Sequence, residues 1–291
     1  MKFSTARILL VPTLFLGSLT SGEVCKPDCS NMATCDQLVA DLNLGSDDCA
    51  SKPVISFPKL KFCGAVTSLD PDMDSNSDDF EDYDIDLYTP VGAPNSVTTS
   101  ISFPILQACD FIDFDADYNT PGFTKLQTVS FPELLHADGI YLGCGEEDSD
   151  DGPYCPALTS ISFPKLVSVG EYDLEIRNFW RTSAVISFPE LKKVDDDIEV
   201  YYLGANMQVS FPKLTYASGF EFSYNDLRTL ELPELNMLDD LYVSYNNHLL
   251  SVSFPKLSYV GCGFEVDNNN LLTSISAPYA ENAAYDAIDQ N

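Results

Sequence analysis

The sequence predicts a mainly β protein: a right-handed β-solenoid of about nine coils of 21–25 residues, with a small, disulfide-rich, partly helical N-terminal cap. Three observations predict this fold. A phrase of the type Ile-Ser-Phe-Pro-Lys-Leu recurs along the chain, apolar and polar residues alternate around it, and the apolar positions repeat from unit to unit. One such unit cannot bury its own apolar side chains, whereas stacked units form a continuous core.

The predicted organisation has four parts. These are a signal peptide (1–22), a disulfide-rich cap (23–53), a solenoid (54–278) and a C-terminal tail (279–291). Acidic insertions are expected within the solenoid at 66–96, 115–125 and 145–156.

The N-terminus has the features of a secretory signal peptide. Basic Lys2 and Arg7 precede an apolar run over 8–16, and small residues lead to a cleavage site near Gly22. An uncleaved anchor is the alternative, but the run is too short to span ~30 Å of hydrocarbon. Residues 285–291 are polar and lack the hydrophobic tail of a GPI signal. The expected location is therefore secreted or extracellular, with no membrane span, either free or held at a cell surface or wall.

A proline marks each coil, and nine such prolines recur: Pro58, Pro104, Pro132, Pro164, Pro189, Pro212, Pro233, Pro255 and Pro278. Proline lacks a ladder donor, so each short strand should end there. A second alternating run follows in each unit, and several of these runs end in an asparagine: Asn119, Asn225, Asn246 and Asn269. Asparagine there suits either left-handed backbone or a side-chain ladder. No unit has room for a good amphipathic helix, which disfavours helix-containing leucine-rich repeats.

The residue after the proline alternates in charge over six consecutive units: Glu133, Lys165, Glu190, Lys213, Glu234 and Lys256. Stacked coils would bring these side chains together as an exposed ladder of ion pairs. Each pair would contribute only ~0.2–1 kcal/mol, so the pattern indicates register more than stability.

The Ser-Phe-Pro-x-Leu-x-x-Val cores with following asparagine turns, as in 162–169 and 253–260, resemble the receptor L-domain type of leucine-rich-like solenoid. They are similar to fungal GPI-anchored cell-wall proteins of the sporulation and wall-integrity kind. The resemblance covers the solenoid but not the cap, and it implies architecture rather than catalytic residues. The sequence departs from those wall proteins in lacking a GPI tail and any Asn-x-Ser/Thr sequon.

Nine cysteines follow the signal segment, and secretion favours disulfides. The first four are expected to form two disulfides in the cap, with all three pairings open: Cys25, Cys29, Cys35 and Cys49. Their spacing matches no common zinc pattern. Cys63 and Cys109 share one repeat position and would stack and bond, Cys144 and Cys155 would close an insertion, and Cys262 is left over. Within the cap, 31–44 is compatible with a helix.

Acidic residues outnumber basic ones 45 to 15, which gives a net charge of −30. Such a field repels phosphate, so nucleic-acid binding is excluded, and it favours cations or basic partners. Between residues 66 and 156 there are 20 acidic residues and a single basic one, Lys125.

The sharpest predicted metal site is a calcium loop with the ligand spacing of an EF-hand: Asp70, Asp72, Asp74, Asn76, Asp78 and Glu81. Ser75 stands where such loops need glycine, so a solvated acidic loop is the alternative. A shorter version comprises Asp113, Asp115, Asp117 and Asn119, for which an outward-facing strand is the alternative. A third acidic run, 146–151, is expected to be a solvated loop. All three should lie along one edge of the solenoid.

Hydroxyl side chains form two columns on the predicted outer face of the first strands. They are Ser56, Ser102, Ser130, Ser162, Ser187, Ser210, Ser253 and Ser276, beside Ser100, Thr128, Ser160, Thr229, Ser251 and Ser274. Four tyrosines are also expected to be exposed and able to stack on sugars: Tyr201, Tyr202, Tyr242 and Tyr259. Ordinary polar strand positions and simple packing are the alternatives.

The expected function is a non-catalytic extracellular recognition or wall-matrix scaffold that binds a polymer or protein ligand. The alternative is an acidic structural matrix protein associated with calcium or mineral. A polysaccharide-active enzyme is a third hypothesis, since carboxylates and arginines occur together at Asp173, Glu175, Arg177 and Arg181. No catalytic motif accompanies them, and His136 and His248 lie at repeat positions without a nucleophile motif. No enzyme activity and no cofactor other than calcium is therefore predicted.

Overall fold

A computed structural model describes residues 24–25, 37–38, 42–43, 52–63, 84–86, 97–114, 124–144, 155–180 and 182–279. Its strands, in chain order, are β1 Val24–Cys25, β2 Gln37–Leu38, β3 Leu42–Asn43, β4 Val54–Ser56, β5 Phe62–Cys63, β6 Asp84–Asp86, β7 Ser100–Ser102, β8 Ala108–Phe114, β9 Thr128–Ser130, β10 His136–Gly143, β11 Ser160–Ser162, β12 Ser168–Val169, β13 Leu174–Arg177, β14 Val185–Ser187, β15 Lys193–Val194, β16 Ile198–Tyr201, β17 Gln208–Ser210, β18 Gly219–Ser223, β19 Thr229–Glu231, β20 Met237–Ser244, β21 Ser251–Ser253, β22 Tyr259–Asp267 and β23 Ser274–Ser276.

The described strands stack as a β-solenoid of about seven turns, which confirms the predicted fold class. All strand pairs are parallel. The short strands before each proline form a six-stranded sheet, from β4 to β17, and a three-stranded sheet of β19, β21 and β23. The longer second strands form a separate, larger sheet. No helix occurs in the described part, as expected for coils too short to contain one. The structure thus has about seven turns rather than the predicted nine coils, although a short strand precedes each of the nine repeat prolines.

The core between the two sheets contains a column of stacked phenylalanine rings: Phe57, Phe103, Phe131, Phe163, Phe188 and Phe211. Successive ring centroids lie 5.0–5.3 Å apart, and the ring planes differ by 3–10°. The rings follow the spacing of the coils because each occupies the same position in its unit. Stacking the coils therefore buries large aromatic surfaces that one coil would leave in water.

The column is interrupted where the short strands divide into two sheets. Leu232 takes the phenylalanine position in the next coil, and Phe211 packs edge-on against Phe220 at 6.3 Å instead. The interval from Pro212 to Pro233, 21 residues, is also the shortest in the repeat. The smaller side chain and the shorter coil coincide with the loss of pairing between β17 and β19.

Buried asparagines form a ladder where the second strands end. The Asn225 N–H donates to Asn246 Oδ1 at 2.9 Å, and the Asn246 N–H donates to Asn269 Oδ1 at 3.0 Å. Each side-chain amide also donates to a carbonyl of the preceding coil, as Asn246 does to Phe222 at 2.7 Å. Of the two uses expected for these asparagines, the side-chain ladder is the one found. The left-handed residue is instead the one before each asparagine.

The predicted charge ladder is confirmed as three ion pairs between neighbouring coils. They are Lys165–Glu133, Lys213–Glu190 and Lys256–Glu234, with N–O distances of 2.5–2.6 Å. All six side chains are about half exposed, so we assign the pairs a role in register rather than a large share of stability.

Both disulfides expected within the solenoid are present. Cys63 and Cys109 lie at equivalent positions of adjacent coils and are bonded, and Cys144 is bonded to Cys155. Within the described residues Cys262 is a free, exposed thiol. It lies beside a register shift between β20 and β22, where β22 carries an extra residue.

The N-terminal segment differs from its prediction in one respect. Strands β2 and β3 lie within 31–44, where a helix was expected, and they pair with β5 and β6. Pairing with the first coil satisfies backbone groups that a sheet edge would otherwise expose. Strand β6 lies within the predicted insertion 66–96 and pairs with β8, so this part of the segment belongs to the large sheet.

Most of the remaining terminal assignments fall outside the described residues. These include the signal peptide over 1–22, the four cap cysteines except for the backbone at Cys25, and the tail beyond Tyr279. In the described part of the chain, no helix is long and apolar enough to cross a membrane.

We expect Asn246→Ala to lower the free energy of unfolding by about 2–6 kcal/mol. The substitution leaves a buried N–H of Asn225 and a buried C=O of Phe222 without this partner, at ~1–3 kcal/mol each. Urea denaturation of the variant measures the loss. The neighbouring Asn247 is exposed, so Asn247→Ala is the matched control and should change stability by less than ~0.5 kcal/mol. Equal effects of the two substitutions would contradict the ladder.

Candidate binding surfaces

A column of carboxylates lies on the outer face of the large sheet. Glu175, Glu199 and Glu221 are directly opposite one another on β13, β16 and β18. The residues on either side of each glutamate point inward and are buried, for example Val200 and Phe222. Strand alternation therefore forces the glutamates outward, and parallel pairing sets them about 4.8 Å apart. We call these three residues the acidic column.

Glu199, in the middle of the acidic column, has a raised pKa. Burial raises the pKa of its carboxyl to about 7, with further contributions from the charges of Asp173, Glu175 and Glu221. A hydrogen bond with the Tyr201 side chain opposes part of this rise in pKa. Glu175 is paired with Arg177 of its own strand at 2.9 Å. The three stacked carboxylates thus concentrate negative charge that the fold leaves only partly compensated.

A second group of carboxylates lies beside the acidic column, at the bend before β16. One oxygen from each of Asp173, Asp196 and Asp197 lies within 4.8 Å of the other two. Asp173 Oδ1 accepts the Asp197 N–H at 3.2 Å. Burial, followed by neighbouring carboxylates, raises the pKa of Asp197, and hydrogen bonding to the Gly219 backbone opposes this. A Cβ at Gly219 would lie 2.6 Å from an Asp197 carboxylate oxygen, so glycine allows this close approach.

Four aromatic side chains line up along the corner that follows the large sheet: the three tyrosines stack, and Trp180 packs on Tyr202 with its plane tilted by 42°. We call Trp180, Tyr202, Tyr224 and Tyr245 the aromatic column. Their successive ring centroids lie 5.2, 5.0 and 4.8 Å apart. Unlike the phenylalanines of the core, three of these side chains are exposed, Trp180 by 40%, Tyr224 by 41% and Tyr245 by 46%, and Tyr202 is only partly buried. Tyr202 and Tyr224 follow Glu199 and Glu221 of the acidic column by three residues. Tyr245 follows by three residues Tyr242, which pairs with Glu221, so the two columns run side by side.

The three tyrosines of this column have left-handed backbone conformations. Their φ angles are 53° at Tyr202, 59° at Tyr224 and 56° at Tyr245. Asn178 and Asn268 occupy the same conformation in the flanking coils, with φ of 63° and 50°. Asparagine tolerates this region better than tyrosine does, since its short polar side chain can bond locally. The turn therefore does not require tyrosine, and backbone strain at an exposed residue points to a use for the side chain.

The expected hydroxyl columns are in register on the outer face of the short strands. Ser102, Ser130 and Ser162 are paired neighbours on consecutive strands. Thr128 Oγ1 donates to Ser100 Oγ at 3.1 Å, so hydroxyls along the column bond to one another. This face supplies hydrogen-bonding groups but little charge. Tyr242 and Tyr259 are exposed, as expected, whereas Tyr201 and Tyr202 are partly buried.

The residues of the predicted calcium loop lie outside the described residues: Asp70, Asp72, Asp74, Asn76, Asp78 and Glu81. Also outside the described residues are Asp115, Asp117, Asn119 and the run 146–151. Asp113 is on β8, and its neighbours Ile112 and Phe114 are buried, which agrees with an outward-facing strand position. The predicted shared edge of the three acidic clusters stays a prediction.

The groups considered for catalysis have structural partners. Arg177 pairs with Glu175, and Arg181 is not among the described residues. His136 Nδ1 lies 2.7 Å from Ser168 Oγ, and His248 Nδ1 lies 2.9 Å from Asp226 Oδ1. Both histidines contact the adjacent coil. Burial lowers the pKa of His136.

The acidic column and most of the aromatic column were not predicted from the sequence. The pattern that could have predicted the acidic column is a glutamate between two apolar residues, and it recurs in Leu174-Glu175-Ile176, Ile198-Glu199-Val200 and Phe220-Glu221-Phe222. Aligning the coils on Asn225 and Asn246 would also have placed Tyr224 and Tyr245 at one position. Trp180 follows the left-handed residue of its coil by two positions, so only the structure brings it onto Tyr202.

Comparisons with protein-family models, with curated proteins and with solved structures found no match for this chain.

We expect Glu199→Gln to flatten the pH dependence of stability between about pH 4.5 and about pH 7. Folding raises the pKa of this carboxyl from 4.5 to about 7, so the folded chain binds the proton more tightly than the unfolded chain. The wild type should therefore lose stability relative to the variant as pH rises through this window, and the difference should then level off.

Urea unfolding of both proteins across this pH range tests the expectation. Glu265→Gln is the control, because Glu265 is an exposed glutamate on β22 that continues the same outward position. A difference between wild type and Glu199→Gln that does not vary with pH would show that folding does not raise the pKa of Glu199.

Proposed function

We propose that this protein is a non-catalytic extracellular binding scaffold that recognises a repeating, positively charged polymer or protein along its surface. The observation that carries the proposal is the acidic column, in which equivalent carboxylates recur at the spacing of the coils. A ligand with repeated cationic groups would meet one carboxylate after another, and each contact would raise the local concentration of the next. The overall charge of −30 attracts such partners over longer distances.

An extracellular location is part of the proposal. Two disulfides in the solenoid and a signal-like N-terminal segment support it, since disulfides persist in oxidising compartments. We place the protein in the secreted fraction or in a wall or surface matrix, as the resemblance to L-domain-type wall proteins suggests. The proposal assigns it no catalytic residues.

Binding of lysine oligomers and glucosamine oligomers of increasing length tests the proposal. Affinity should rise steeply with length and fall with salt, because the contacts are exposed ion pairs. Replacing Glu175, Glu199 and Glu221 together by glutamine should weaken binding about 3- to 100-fold, at ~0.2–1 kcal/mol per pair.

The matched control replaces Glu133, Glu190 and Glu234 by glutamine. This variant removes the same number of carboxyl groups, but its glutamates are already paired with lysines. Equal weakening in the two variants would mean that net charge alone binds the polymer. No binding by the wild type would reject the proposed function.

A calcium- or mineral-associated matrix protein is the second candidate function. The convergence of Asp173, Asp196 and Asp197 favours it, because three carboxylates with water could supply the oxygen ligands that calcium prefers. A bound cation would also relieve the mutual repulsion that raises the pKa of Asp173 and Asp197 beyond the effect of burial.

Thermal unfolding in calcium, in magnesium and in chelator tests this second candidate. Calcium at about a hundredfold excess over its Kd should stabilise the fold by ~2.7 kcal/mol. The increase should disappear in Asp196→Asn and persist in Asp226→Asn, a control outside the group. A response identical in calcium, magnesium and matched ionic strength would exclude a specific site here. A calcium response that survives Asp196→Asn would locate the ion elsewhere.

A further inference from the structure

We propose that the aromatic column and the acidic column together form a docking surface for a basic amphipathic α-helix lying along the solenoid axis. This inference rests on the proposed binding function and names the partner that the same surface fits. The helix would place apolar side chains against Trp180, Tyr202, Tyr224 and Tyr245, and lysine or arginine side chains against Glu175, Glu199 and Glu221.

The aromatic column has the composition of a binding surface rather than of a solvated corner. Tyrosine and tryptophan are enriched where one protein contacts another, because they combine large apolar area with few rotatable bonds. Trp180 is the only tryptophan in the chain, and it stands exposed at the end of this stack. The tyrosine rings stack face to face, with interplanar angles of 19° and 1°. Such a ridge suits packing between side chains better than stacking on a flat sugar ring.

The backbone supports a role in binding. Three successive coils use tyrosine at a left-handed position that asparagine occupies in the flanking coils. Asn225 and Asn246 of the ladder follow Tyr224 and Tyr245, and the Leu203 N–H after Tyr202 donates to Asn225 Oδ1 at 2.9 Å, so the tyrosine side chains are not needed to close the turn.

The spacing of the rings selects the helix among regular peptide conformations. The steps of 4.8–5.2 Å are within about 0.6 Å of the helix pitch of ~5.4 Å, so one side chain per turn meets one ring per coil. An extended strand presents side chains on one face every ~6.6–6.8 Å and loses register within about three coils. A polyproline helix repeats every ~9.3 Å and would contact only every second ring.

Charge complementarity sets the sign of the partner. The acidic column runs parallel to the rings, and in-register Glu175, Glu199 and Glu221 present one carboxylate per coil. Basic residues on the helix, spaced three or four apart, would follow the same repeat. The apolar side chains beside them would cover the exposed ring edges, so the surface requires both parts of the pattern.

Two synthetic peptides of identical leucine and lysine composition test the proposal. In one, leucines recur with helical spacing, and in the other they alternate with lysines. We expect the helical peptide to bind at least about tenfold more tightly and to gain helical circular dichroism on binding. The full chain is used throughout, at a salt concentration that screens the exposed ion pairs and leaves the apolar contacts.

The variant Tyr202→Asn/Tyr224→Asn/Tyr245→Asn removes the rings while keeping a residue that this turn accepts. We expect it to remain folded by urea denaturation and to lose about tenfold or more in affinity for the helical peptide. Its affinity for lysine oligomers should be unchanged. Tyr259→Asn, at an exposed tyrosine outside the column, is the control and should bind like the wild type.

Three results would overturn the helix proposal while leaving the binding function intact, provided that lysine oligomers still bind. They are equal affinity for the two peptides, absence of helix in the bound peptide, and undiminished binding by the triple variant. If neither the peptides nor the cationic oligomers bind, both the docking surface and the proposed function are wrong.

Discussion

Parallel stacking in register is the constraint on which the rest of this structure depends. Each coil must repeat the preceding one at the spacing of paired strands, so a residue at one position meets its equivalent in the next coil. This converts single positions of the repeat into columns: phenylalanine rings inside, asparagine amides at the corner, and carboxylates outside. The ring spacings of 5.0–5.3 Å show how closely side chains follow the backbone. A column of like residues is stable only where its environment suits all of its members.

The columns differ in how well they satisfy that condition. Stacked phenylalanines gain from burial and from contact with one another, and ladder asparagines both donate and accept, so neither column is frustrated. Stacked glutamates repel one another, and this repulsion adds to burial in raising the pKa of Glu199. The exposed tyrosines combine favourable stacking with left-handed backbone. Unfavourable features therefore gather on the outer surface of the large sheet and its corner, which is why function is proposed there.

The break in the short-strand sheet shows what happens where the coils do not repeat one another. Where Leu232 replaces a phenylalanine and the coil is shortest, the pairing between β17 and β19 is lost. The large sheet continues through this region, since Phe220 and Leu241 remain paired in register. The two faces of a solenoid can thus tolerate irregularity separately. The surface proposed to bind a partner is built on the continuous face, which gives a rigid base to both columns.

The sequence by itself determined the repeat, the β-solenoid, the phenylalanine column, the ion pairs after the prolines and two disulfides. All of these follow from one residue recurring at one repeat position, which spacing reveals without coordinates. Tertiary structure decided what spacing cannot. It brought Trp180 onto Tyr202 from coils of unequal length, placed Asp173 beside Asp196 and Asp197, and paired β2 and β3 with the first coil. These contacts depend on where the chain bends, and bends are set by packing between coils rather than by the repeat.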